Sequence, residues 1–293
     1  MNFLITGALG HIGSFLIRSI PPEYGIVAVD NLLTQRYCSL FCLNRKIKFI
    51  EKSFSDIAQE EIDTADVIIH LAAITDAEHS FGNTDIEKIN KTLTEEFVKR
   101  CSHKVVVFPS STSVYGVATD VVFEDDDQYI NPQSPYAESK LYIEQVIKEY
   151  CPQHIILRFG TIFGTSPGMR FHTAVNRFCY QAAFGQLLTV WKDNFDKVRP
   201  YLGLRDACQS IEHLVKKRCY QTYNVITQNT RLCEIIEIIQ HIKPDVVVKF
   251  VDTPLLNQFS YNVNDEKVRT TGFEPQDDIK KEIKDTIQLL WIK

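Results

Sequence analysis

Eight residues near the start of the chain, Thr6-Gly7-Ala8-Leu9-Gly10-His11-Ile12-Gly13, constrain the fold more than any other stretch. They follow Asn2-Phe3-Leu4-Ile5-Thr6, which reads as a buried strand. They precede Ser14-Phe15-Leu16-Ile17-Arg18-Ser19-Ile20, which reads as a helix, and a second apolar strand then runs from Gly25 to Asp30. The whole is a βαβ unit of about 30 residues. Glycines at 7, 10 and 13 allow a tight turn and let backbone N–H groups approach a pyrophosphate. The helix that follows points its positive end at the same anion. Asp30 then stands where it can accept hydrogen bonds from a ribose diol, and its charge would repel a 2′-phosphate, which favours NAD over NADP. The competing reading is a glycine turn that binds nothing, with Asp30 as a strand-end cap. The order strand, turn, helix, strand, acid argues against it.

Further apolar strands are expected at 47–51, 66–72, 104–110 and 154–159, with helical patterns between them, notably at 84–101 and 136–150. Apolar strands alternating with amphipathic segments imply a parallel sheet covered on both faces. The expected fold is α/β, a Rossmann-type doubly wound parallel sheet with a smaller C-terminal α/β substrate-binding lobe. Residues 1–160 would form the dinucleotide-binding domain, rejoined by about 204–228, and 161–293 would be mainly the substrate lobe. A last helix carries Ile279, Ile283, Ile287 and Leu290 on one stripe.

Charge and cysteine usage narrow the function classes. A net charge of −5 argues against nucleic acid as the main partner. No apolar run reaches the roughly 18 residues of a membrane span, and the first residues lack the basic start of a signal peptide. Of eight cysteines only Cys38 and Cys42 are close in sequence, and no histidines stand at zinc-ligand spacing, so no metal is expected. Free, mostly buried thiols in a reducing cytoplasm are the simplest account.

Two stretches carry chemistry. In Asn131-Pro132-Gln133-Ser134-Pro135-Tyr136-Ala137-Glu138-Ser139-Lys140, Pro135 signals a helix start, so Tyr136 and Lys140 lie four apart on one face. A free tyrosine, with a pKa of about 10, is a poor base at neutral pH, and a neighbouring cation favours its phenolate. Tyr136 could then take the proton from a substrate hydroxyl as hydride leaves the same carbon. The second stretch, Ser110-Ser111-Thr112-Ser113, follows the apolar run 105–108 and can supply a hydroxyl that holds the reacting oxygen. Asp56, after the third strand, could contact the adenine end, or be a solvated turn acid. Ala72-Ala73, after the fourth, offer a small-residue surface on which a cofactor could lie, or simply pack tightly.

The chain resembles the extended short-chain dehydrogenase/reductase superfamily, in particular its NAD-dependent nucleotide-sugar epimerases and dehydratases. The resemblance rests on TGALGHIG, VDNL, HLAA, SSTSVYG, PQSPYAESK, LRFGTIFG and VRPYLGLRDA, in family order, and on the closing SYNVNDEKVRTTGFEP. It implies Tyr136 as base, Lys140 as its partner and ribose ligand, and Ser111 as the oxygen-holding hydroxyl. The implied cofactor set is Gly7, Gly10, His11, Ile12, Gly13, Asp30, Asn31, Asp56, Leu71, Ala72, Ala73, Asn90, Tyr136, Lys140 and Phe159. Asn90 would support the lysine. Substrate would meet Thr75, Ser111, Thr112, Thr161, Asn176 and Arg199, the last two at the nucleotide diphosphate, where a guanidinium binds phosphate oxygens in bidentate fashion. The partner would be a nucleotide-diphosphate sugar, and the chain a homodimer through its helices at 84–101 and 136–150.

The resemblance also bears on the reaction. Family dehydratases carry an Asp-Glu pair directly after the catalytic hydroxyl, and here those positions are Thr112 and Ser113. Neither readily abstracts a carbon-bound proton near neutral pH, so 4,6-dehydration is disfavoured. Epimerisation through a 4-keto sugar is the leading expectation. A dehydrogenase that releases the keto sugar is the rival, and a non-catalytic NAD-sensing protein is the reading from another class. The acidic run Glu124-Asp125-Asp126-Asp127 is expected to be a solvated loop, and the segment GTSPGMRFHTAVNRF, residues 164–178, departs from the pattern of common UDP-galactose epimerases.

Overall fold

A computed structural model of the chain describes residues 1–73, 84–116, 118, 120–252 and 260–291, and within 84–90 only the side chain of Lys88. The elements alternate as the hydrophobic pattern requires. β1 (Asn2–Thr6), α1 (His11–Ser19), β2 (Gly25–Asp30), β3 (Lys48–Glu51), α2 (Gln59–Asp63), β4 (Val67–His70), α3 (Thr84–Arg100) and β5 (Val105–Ser111) form the first half. β6 (Val121–Val122), α4 (Pro135–Tyr150), β7 (His154–Phe159), β8 (Thr161–Phe163), α5 (Ala174–Ala183), β9 (Leu188–Trp191), β10 (Val198–Gly203) and α6 (Leu204–Lys217) follow. The chain closes with β11 (Thr222–Val225), β12 (Gln228–Arg231), α7 (Leu232–Ile242), β13 (Val248–Val251), β14 (Asn262–Val263), α8 (Glu266–Arg269) and α9 (Ile279–Leu290).

Seven strands make one sheet in the order β11-β7-β5-β4-β1-β2-β3, and every pairing is parallel. Leu4, Ile5, Ile68, Ile69, Val106, Val107, Ile155 and Ile156 are all buried, as strands covered on both faces require. On one face α1 and α6 pack through Leu16, Ile17, Ile211 and Leu214. On the other, α2, α3 and α4 pack through Ile62, Phe97, Val98, Ile143 and Ile147. The sheet is thus the Rossmann-type doubly wound α/β fold, and β11 joins it from beyond residue 161.

A second core lies among α5, α7 and α9, where Phe178, Cys179, Ile235, Ile236, Ile283 and Ile287 meet. It is served by the small sheet β12-β10-β8 and the parallel pair β13-β9. Five of the eight free cysteines are buried, whereas Cys38 and Cys42 are exposed. Among the described residues no helix is long and apolar enough to cross a membrane.

Candidate functional site

The strand order reverses between β1 and β4, with Thr6 opposite His70. A crevice opens at such a switch point, beyond the carboxyl ends of the strands, and ligands of doubly wound sheets bind there. Gly7 turns the chain out of β1 with φ at +64°, and a Cβ on it would lie 2.8 Å from the Ala72 nitrogen and the Leu71 carbonyl carbon. The turn after β1 therefore rests backbone on backbone against Leu71-Ala72-Ala73. Ala72 N–H donates to the Thr6 hydroxyl (3.2 Å), and Leu71 N–H to the Thr6 carbonyl (3.1 Å). Gly10 caps α1 without a side-chain bond to its first-turn amides, and that turn, with His11, Ile12 and Gly13, holds no acid. Uncapped amides at the positive end of a helix are the cradle a diphosphate needs, so the residues fit NAD.

Asp30 serves the turn as well as any ligand. Its carboxylate accepts from Leu9 N–H (3.0 Å) and Leu32 N–H (2.9 Å), and lone pairs remain for a ribose. Asn31 is exposed, and its side-chain oxygen accepts from Leu33 N–H. Asp56 is exposed in the 3-10 turn after β3. His11 Nδ1 lies 2.8 Å from Ser166 Oγ. Burial, and then the charges of His172, Arg36 and Arg170, lower its pKa to about 3.

Tyr136, Lys140, Ser139, His70, Ala72 and Ala73 line one cavity of about 20 Å³ at the switch point. Ser134 caps α4 by accepting from Ala137 N–H, and Pro135 starts the helix, so Tyr136 and Lys140 project from its first turns. Lys140 is buried. Its ammonium donates to the Pro109 carbonyl (2.8 Å) and lies 4.5 Å from the centroid of the Phe108 ring and 5.9 Å from that of Tyr136. Ser111 ends β5, and its oxygen accepts from both the hydroxyl (2.8 Å) and the backbone N–H (3.1 Å) of Ser113. Thr112 is buried, with the Tyr261 hydroxyl 3.5 Å from its oxygen. No carboxylate enters this hydroxyl group at 112 or 113.

A second cavity, of about 50 Å³, is lined by Ser113, Gly116, Gln133, Ser134, Arg199 and Tyr261 among others. The Arg199 guanidinium lies 5.5 Å from the Tyr261 ring centroid. The shared hydroxyl of Ser113 brings this cavity next to Ser111, and Ser134 brings it next to Tyr136. Phe159 is buried at the end of β7, opposite Ser111 in register, and Thr161 begins β8 beside Tyr201. Asn176 is fully buried, and its amide is taken up by the Gly164 backbone, accepting from N–H (3.2 Å) and donating to the carbonyl (3.1 Å). Thr75 lies outside the described residues. Asn90 lies in α3, with its side chain outside them.

Sequence reasoning passes over Gln133, Ser134 and Tyr261 as cavity residues, and names Ser113 only within the hydroxyl stretch. Gln133 and Ser134 lie inside the PQSPYAESK motif, whereas Tyr261 arrives from far along the chain. It also passed over His70, which is buried beside Lys140 with Nδ1 2.8 Å from the Thr6 hydroxyl. The acidic run is solvated at Asp125 and Asp127, as expected, and the fold corrects only its first residue. Glu124 is buried, its carboxylate accepting from Asn224 N–H (2.7 Å) and its carbonyl from Arg158 (3.0 Å), and burial raises its pKa.

Three comparisons bear on this site. The chain matches the NAD dependent epimerase/dehydratase family over residues 3–225. It is 30% identical over 241 residues to an uncharacterized UDP-glucose epimerase of Bacillus subtilis, covering 74% of this chain and 73% of that protein. It is 27% identical to a trifunctional UDP-glucose 4,6-dehydratase/UDP-4-keto-6-deoxy-D-glucose 3,5-epimerase/UDP-4-keto-L-rhamnose-reductase of Arabidopsis thaliana, covering 98% of this chain. The chain spans only 46% of that plant protein's length. The fold is shared with a UDP-glucuronic acid 4-epimerase of Bacillus cereus solved with UDP-glucuronic acid and NAD, at a TM-score of 0.87 and 23% identity over 99% of this chain and 100% of the other. With its glycine turn, its switch-point cavity and a family match over most of its length, the chain belongs to the NAD-dependent epimerase/dehydratase family.

Proposed function

We propose that the chain is a nucleotide-sugar epimerase that works through a 4-keto sugar. The observation that carries this reading is the hydroxyl group at the end of β5. Beside Ser111 stand a buried Thr112 and a Ser113 that donates to it, so neither of these two positions carries a carboxylate to remove a carbon-bound proton and expel water. The fold shared with a UDP-glucuronic acid 4-epimerase, and the likeness to a relative named as a UDP-glucose epimerase, support the same class.

The glycine turn, Asp30 and Lys140 would hold NAD, which would supply a hydride acceptor and donor for the sugar carbon. The chain's own groups handle the proton and the oxygen. The Tyr136 phenolate accepts the proton of the C4 hydroxyl as the C–H bond breaks, and the Lys140 ammonium supplies positive charge beside the phenol. Ser111 holds the oxygen that becomes the carbonyl, polarised in turn by the Ser113 hydroxyl. Arg199 holds the nucleotide's diphosphate at the mouth of the second cavity. The keto sugar turns its other face within the site, and Tyr136 gives the proton back. Atoms and charge balance over the cycle, with no net change in NAD.

The chain would act as a homodimer through α3 and α4, which sedimentation velocity reads as a single species of twice the chain mass. The reaction is tested by incubating the purified protein with UDP-, GDP-, CDP- and dTDP-sugars while following NADH absorbance and product stereochemistry by NMR. A C4 epimer without net NADH is expected. Stoichiometric NADH with a ketone product would replace the epimerase by a dehydrogenase. Tyr136→Phe is expected to lower kcat by about 10²–10⁴-fold, and an unchanged rate would remove Tyr136 as the base.

A further inference from the structure

One departure from the common pattern has no role in the reaction above, namely the segment between β8 and α5. Its ends are pinned within the second lobe. Asn176 grips both backbone groups of Gly164, and the Thr173 hydroxyl donates to the Ile162 carbonyl (3.2 Å). Its tip sits on the glycine turn. The Ser166 hydroxyl lies 2.9 Å from the His11 carbonyl, to which it can donate, and accepts from Ser14 (3.1 Å), while Gly168 N–H donates to Ser14 Oγ (2.9 Å). A Cβ on Gly168 would lie 2.2 Å from the Leu9 carbonyl oxygen and 2.5 Å from that of Gly10, so only glycine approaches this closely.

The loop after β2 closes the third side. Arg36 Nη1 donates to the Gly168 carbonyl (2.8 Å), the Cys38 thiol to the Pro167 carbonyl (3.2 Å), and the Ser39 hydroxyl to the Leu9 carbonyl (2.8 Å). A Cβ built on Gly10 would lie 3.9 Å from Arg36 Nη1, which puts that guanidinium against the turn itself. Positive charge gathers here. Burial weakens the charged form of Arg36, Arg170 weakens it further, and the Asp30 carboxylate supports it. A guanidinium held beside uncapped helix amides favours a bound polyanion.

We propose that residues 164–173 are a clasp that holds the cofactor's diphosphate against the glycine turn, with Arg36 as its phosphate-binding cation. This rests on the family's use of NAD and deepens the epimerase reading, because a cofactor reduced and reoxidised in one turnover has no need to leave. The clasp also ties cofactor retention to α5 of the second lobe through Asn176.

The test uses the full chain loaded with radiolabelled NAD, freed of excess by gel filtration and chased with unlabelled NAD, with no sugar present. Arg36→Met is expected to speed label release at least tenfold, with Arg36→Lys recovering part of the loss. Gly168→Ala is expected to do the same by lifting the clasp. Should it fail to fold, the two Arg36 variants carry the test alone. The melting temperature of each NAD-free variant reports its folding. Release at the wild-type rate from Arg36→Met would overturn the proposal, as would wild-type label lost within seconds of the chase. A protein that keeps NAD but converts no sugar leaves the clasp standing and removes the epimerase reading.

Discussion

Beneath the hydroxyl group, the side chains of Arg158 and Glu144 form an ion pair at 2.8 Å, with relative exposures of 3% and 0%. Burial works against the Arg158 charge, and the hydrogen bonds and charge of Glu144 more than reverse it, so its pKa stands above the ordinary arginine value. Arg158 also donates to the Tyr115 hydroxyl, and the Ser110 hydroxyl donates to Glu144. Every charged atom here has a partner, which is what makes a buried pair tolerable. Removing one partner leaves a buried charge alone, a loss of about 3–5 kcal/mol. Glu144→Ala is expected to lower unfolding stability in urea by that amount, and a loss below about 1 kcal/mol would mean that water reaches Arg158. The pair joins α4 to β7, and Ser110 ties it to β5, so the elements bearing Tyr136 and Ser111 keep a fixed relation.

The element that matters most is α4. Its start was legible because Ser134 and Pro135 are local signals, one accepting from an orphan amide and the other preset to helical φ. Tyr136 follows directly, so any fraying of this end moves the base. Ser134→Ala is expected to cost about 1 kcal/mol in urea unfolding. It should also lower kcat more than it raises KM, since the lost cap loosens Tyr136 before it affects nucleotide binding. An equal change in both would mean that the Ser134 hydroxyl acts on substrate in the second cavity. In the acidic run that follows β6 only Glu124 departs from a solvated loop, for a physical reason. Glu124 is buried by Asn224, 100 residues on, and by Arg158, 34 residues on. A loop of like charges carries no local mark of such partners.

At the scale of the whole molecule, two buried imidazoles set a pH dependence. Burial is the larger cause for both His11 and His70, with nearby positive charges second, and each pKa falls from 6.5 to about 3. The unfolded chain therefore binds more protons than the fold between those values, and stability falls as pH drops from about 6.5 toward 3. The slope is about 1.4 kcal/mol per pH unit for each histidine. Urea midpoints taken between about pH 7 and pH 5 should reveal the loss before most carboxylates titrate. His70→Asn is expected to reduce the slope by about one proton's share. A flat wild-type profile would mean that both rings are charged, or wet, in the fold, and half the slope that one of them is.

What the sequence determined by itself was whatever rests on near neighbours. A glycine turn between a strand and a helix, an acid closing the next strand, and a tyrosine and lysine one helical turn apart are local patterns, and the seven-stranded sheet and switch-point crevice follow from repeating them. The packing of residues 164–173 on the glycine turn, the meeting of Arg199 with Tyr261 and Ser113, and the burial of Glu124, His11 and His70 were decided only by the tertiary structure. Each depends on segments far apart in the chain meeting in a low-dielectric interior, where partners and water exclusion rather than residue type set what a side chain can do.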